Sequence, residues 1–294
     1  MLKRPLFVLS AVVALALPSV PALAVPNPSA DNTPNPPDTG AHVIRDPGEY
    51  DAFINALNIT DPVRKAAALE AFILSYPNSS IKVDALEQAM GAYQQAGNTT
   101  KVEDAANRLL AIDHNNVHAL ATITRLRRAE AAKGNTQALA ELQTDAGRGL
   151  VALPGWPKPQ GVSSTDFGRQ RDQLTAIFEG GLGFVAFAGK DYPGARGHYL
   201  KSVHADPSNA QDVYQLAVAQ LQLDPIDTAG FWYMAKAWNL AGAQKNFAAQ
   251  QTIETYAKAK YFSYHGSAEG WDAILENARI NSAPPVNFSV TPAH

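Results

Sequence analysis

Residues 182–207 read LGFVAFAGKDYPGARGHYLKSVHADP, and the placement of small, large and turn-forming residues in this stretch decides the fold. Asp191-Tyr192-Pro193 and Asp206-Pro207-Ser208-Asn209 carry turn and cap chemistry, so a helix is expected before each of them. Gly183, Ala186 and Ala195 are small and stand where two antiparallel helices would cross, which allows axes about 8–10 Å apart. Leu182, Tyr199 and Leu200 are large and would fill the space between one pair and the next. Such a helix–turn–helix unit cannot bury its outer faces alone, so neighbours of the same kind are required.

The same punctuation recurs on both sides. Tyr76-Pro77-Asn78-Ser79, Gly97-Asn98, Asp113-His114-Asn115-Asn116 and Gly134-Asn135 separate alanine-rich stretches that contain hardly a credible strand. The interval is 37 residues from Pro77 to His114, 40 from there to Pro154, and 53 from Pro154 to Pro207. The loop GWPKPQGVSS at 155–164 stretches the last of these. Helix pairs are therefore expected at about 46–76, 83–113, 117–153, 166–205 and 210–241. A long helix at 243–262 and a short one at 268–279 would close the open end, because an uncapped stack exposes an apolar face. The expected fold class is all-α, a solenoid of antiparallel helix pairs with C-terminal capping helices.

The chain resembles the tetratricopeptide repeat family over about 46–241. Leu182-Gly183, Ala186, Ala195, Tyr199, Ser202 and Pro207 stand at that family's offsets. In the second pair Tyr93, Gly97 and Leu109 match, while Met90 and Val102 replace small residues and His114 stands where proline is usual. In the fifth pair Leu216-Ala217, Ala229 and Tyr233 match. The resemblance implies a right-handed solenoid whose first helices line a concave groove for a protein or peptide, with no cofactor and no covalent chemistry.

The ends have a different composition. Lys3 and Arg4 precede an apolar run from Leu6 to Leu17, and Ala22-Leu23-Ala24 is a small-x-small cleavage site, so residues 1–24 read as an export signal. Twelve apolar residues are too few to span a bilayer, and no other segment suffices. The mature chain is expected to be exported, in the periplasm or secreted. Residues 25–45 read as a disordered linker and 280–294 as a disordered tail. Cleavage removes two of the 24 basic residues and none of the 27 acidic ones, which moves the net charge from −3 to −5. That balance offers no general attraction to nucleic acid. With no cysteine in the chain, disulfides, thiolate metal sites and lipid-modified cysteine are excluded.

Little catalytic chemistry is expected. Gly181-Leu182-Gly183-Phe184-Val185-Ala186 fits a dinucleotide fingerprint, but DQLTAIFEG before it reads as helix where that chemistry needs a strand. His114 and His118 flank a turn, His198 and His204 diverge on a helix, and solvent-exposed histidines are the better reading of them than a metal site. Two partner-binding candidates remain. Arg125 and Arg128, three apart on one helix, would share a face and could clamp a carboxylate. Trp232 and Trp238 belong to an aromatic-rich C-terminal region that could offer a platform. The expected function is a non-catalytic scaffold for a protein or peptide. The rivals are a glycan-binding envelope protein using those aromatics, and a hydrolase with a site assembled from distant residues.

Overall fold

The computed structural model describes residues 46–293, and among them the chain is helical throughout with no strand. The readings of residues 1–45 as signal and linker lie outside the described residues. The helices are α1 (Pro47–Leu57), α2 (Pro62–Ser75), α3 (Lys82–Gln95), α4 (Thr99–Ile112), α5 (Val117–Ala132) and α6 (Thr136–Ala152). They continue as α7 (Ser164–Ala188), α8 (Tyr192–Ala205), α9 (Ala210–Gln220), α10 (Ala229–Ala243), α11 (Phe247–His265) and α12 (Trp271–Ile280). Nine of these starts are set by a side chain that accepts from a backbone N–H two or three residues on. The caps are Asp46, Asp61, Asn98, Asn116, Asn135, Ser163, Asp191, Asn209 and Asn246. Each satisfies a donor that the first turn leaves unpaired.

Consecutive helices pack on one another, as α1 on α2, α2 on α3, α3 on α4, α8 on α9 and α9 on α10. They gather into two compact units. The first comprises residues 46–126 and 148–174, the second 127–147 and 175–293.

In the first unit Leu69, Leu86 and Leu109 are wholly buried, with Ala85, Ala89, Ala105 and Ala106 between them. Those alanines let α3 and α4 approach closely. Phe53, Phe72 and Tyr76 extend the core as a chain of tilted rings with centroids 5.3 and 5.2 Å apart.

In the second unit Tyr199, Leu216, Phe231, Trp232 and Met234 form the centre of the core. The helix α7 runs unbroken through Gly180, Gly181 and Gly183. The fingerprint glycines therefore lie inside a helix, where their amides bond within it and cannot cradle a phosphate. Helices α11 and α12 both pack on α10. Trp232 donates from Nε1 to Asn277 Oδ1 at 2.8 Å, and Lys236 Nζ donates to the Ala278 and Asn281 carbonyls at the end of α12. A cation there satisfies acceptors that the last turn leaves open.

The segment after α12 differs from the expected disordered tail. Its composition carries no helical period, yet Val290 is buried and Phe288 packs on the core. Ala293 N–H donates to the Tyr264 carbonyl at 2.7 Å, and His265 Nδ1 lies 2.8 Å from the Thr291 carbonyl. Two apolar side chains and two backbone anchors suffice to hold it.

Candidate functional site

The start of α5 organises the polar face of the first unit. Asn116 caps the helix by accepting from Ala119 N–H at 2.9 Å, and its amide donates to Glu87 Oε1 at 2.7 Å. His118 Nδ1 stands 3.4 Å from Glu87 Oε2, with side-chain exposures of 16% and 14% respectively. Burial alone would raise the Glu87 pKa. The hydrogen bond and charge of His118, with the Asn116 amide, more than offset it and hold the carboxyl below its ordinary value.

His118 in turn meets an aromatic stack. Its ring lies edge-on to Trp156 at 5.0 Å, Trp156 lies 4.8 Å from Phe167, and the Arg171 guanidinium stands 5.9 Å from the Phe167 centroid. Trp156 and Phe167 are half-buried. Among the described residues nothing accepts from the Trp156 indole N–H. The ring is delivered by the loop between α6 and α7, just after a 3-10 turn at Leu153–Gly155.

Seven residues beyond His118 stands Arg125. It is half-buried, and among the described residues no carboxylate or carbonyl pairs with it. Burial lowers its pKa, and no nearby acid opposes that. Thr124 Oγ1 and Gln170 Oε1 are likewise buried without a partner. A desolvated guanidinium with no counter-charge is costly, so the arrangement is suited to collecting an anion.

The sequence reading paired Arg125 with Arg128, and the structure separates their roles. Arg128 Nη2 lies 2.6 Å from Asp212 Oδ1, with exposures of 13% and 0%. Burial opposes the Arg128 charge, but Asp212 more than compensates and raises its pKa. Asp212 also accepts from Ser202 Oγ at 2.6 Å and Asn209 Nδ2 at 3.1 Å. Gly180 leaves room for this cluster, since a Cβ there would overlap the Asp212 carboxylate. Arg128 is thus a core ion pair and not a contact residue.

Of the two aromatic candidates, Trp232 is corrected in the same way. Trp232 is wholly buried, and Trp238 is half-buried with its indole N–H buried and unpartnered. A ring inside the core, as Trp232 is, cannot serve as a platform, whereas Trp238 keeps part of its surface exposed. The residues read as packing between helices differ in burial. Ala195 and Tyr199 are wholly buried, Leu182 and Ala186 half-buried, and Pro207 exposed beyond α8.

Two histidines expected to face solvent carry acid partners. His118 has Glu87, and His198 Nδ1 lies 2.6 Å from the buried Glu179, which Lys201 also approaches at 3.3 Å. The residues that the sequence reading missed are His118, Trp156 and Phe167. The only advance signal was a tryptophan within a proline-bearing insertion.

Comparison with protein-family models finds no match for this chain, and comparison with curated proteins finds none either.

Proposed function

We propose that the chain is an exported, non-catalytic scaffold whose helix pairs stack as a right-handed, tetratricopeptide-like solenoid and hold a protein or peptide partner. The observation that carries this reading is Arg125, a half-buried guanidinium without a counter-charge on the first helix of a pair. Such a group burdens the free fold, and a fold retains that burden where a ligand relieves it. Export rests on Lys3, Arg4, the apolar run Leu6–Leu17 and Ala22-Leu23-Ala24.

The rivals draw less support. The glycan reading needs the C-terminal aromatics, yet Trp232 and Trp271 are buried. The hydrolase reading finds Ser202 beside Asp212, but both are wholly buried and the third member of that cluster is Arg128, not a base.

A photo-crosslinking amino acid at the exposed Lys158, two residues from Trp156, tests the scaffold reading in cells. One discrete crosslinked protein is expected, absent from Arg125→Gln and absent when the probe is placed at the exposed Leu74 of α2. Equal labelling at both positions, or labelling indifferent to Arg125, would count against it.

A further inference from the structure

We infer that the first unit carries a two-point dock for an extended peptide segment, taking a ring-bearing side chain on Trp156 and, three residues along, a side-chain carboxylate on Arg125. This rests on the scaffold reading and gives its partner a chemistry.

The spacing follows from the helix. His118 and Arg125 are seven apart on α5, which returns them to within about 20° of one stripe and sets them about 10.5 Å apart along the axis. A peptide in the polyproline II conformation advances about 3.1 Å per residue with three residues per turn, so side chains three apart share one face and span close to that distance.

The two ends have complementary demands. His118 is fixed by Glu87 and presents its ring to Trp156, whose other neighbour is Phe167. A ring added at about 4.5–7 Å would extend this stack in the edge-on or tilted geometry that its members already use. The free indole N–H supplies a donor for a peptide carbonyl. At the other end Arg125 offers a planar fork that matches a carboxylate. Glu87 cannot serve it, being engaged by His118 and Asn116, and Glu70 is held by Arg108 at 2.8 Å. Among the described residues no carboxylate completes Arg125, which leaves that place to a partner's carboxylate.

Fluorescein-labelled peptides with amidated C-termini, read by anisotropy against the full chain, test the inference. Phe-Ala-Ala-Glu and its reversed order place the ring and acid three apart, and peptides with one or five intervening alanines move them out of step. One three-apart order is expected to bind on the order of tenfold tighter than the others. Trp156→Ala and Arg125→Gln should each remove that advantage, and their double variant should lose little more than either alone. Arg125→Lys, which keeps the charge and loses the fork, should retain only part of it.

Affinity indifferent to spacing would overturn the dock. So would binding that needs a free C-terminal carboxylate, or binding unchanged in Arg125→Gln. If the Lys158 crosslink still depends on Arg125 while spacing has no effect, the scaffold survives and the dock does not.

Discussion

The backbone of Gly183 packs on the ring of Tyr199, so close that a Cβ on Gly183 would stand 2.9 Å from Cδ1 and Cε1 of that ring. Tyr199 is wholly buried and has no room to retreat. Gly183→Ala should therefore lower stability by about 1–3 kcal/mol, and Gly183→Leu by at least as much. Urea denaturation gives the measurement. A midpoint unchanged in both variants would mean that α7 and α8 do not cross at this point.

Asp212 concentrates the buried polar chemistry of the second unit. Asp212→Ala should cost about 3–5 kcal/mol, because it strands the Arg128 charge in the core. Ser202 would still have the Ala176 carbonyl, 3.0 Å from its hydroxyl, as an acceptor. The double variant Arg128→Met with Asp212→Leu should recover most of the loss, since it removes both charges together. Thermal unfolding of the three proteins decides it, and a double variant no better than Asp212→Ala would contradict the reading.

Acid should weaken the first unit through Glu87. Its pKa is lowered in the fold, so its contribution is complete above the ordinary glutamate value of about 4.3 and fades as pH falls through the lower folded value. Glu87→Gln should be less stable than the parent at pH 7, and the gap should close as the pH is lowered below about 4. Urea midpoints across that range check it. A gap that stays constant with pH would exclude this origin.

Local chemistry was legible in the sequence and long-range pairing was not. The caps Asn98, Asp191 and Asn209 are visible because a cap acts on backbone two or three residues away. Gly183 and Ala195 are visible because a tight crossing demands small side chains. By contrast, Arg128 and Asp212 are 84 positions apart, and His118 and Glu87 are 31 apart. No helical period connects such partners, so Arg128 read as a surface arginine and His118 as a solvated histidine. Trp232 misled because its apolar ring and polar N–H suit a platform and a core equally, and only the position of Asn277 decides between them. The final segment misled because its anchors, Val290 and Phe288, form no periodic pattern.

That final segment contributes to the fold. Truncation after Asn281 should cost about 1.5–3 kcal/mol, the value of fully burying one side chain such as Val290, and lower the melting temperature. Val290→Asp should reproduce much of the loss without shortening the chain. Both variants melting with the parent would show that the segment is not held in solution.

The most direct test of the account is the stability and binding of Arg125→Leu measured together. An unpaired, half-buried guanidinium kept for a ligand should leave the variant more stable than the parent, by about 0.5–2 kcal/mol, while the three-apart Phe-Ala-Ala-Glu peptide binds at least tenfold more weakly. A variant that melts lower than the parent, or binds that peptide as well, would show that Arg125 serves the fold and not a partner.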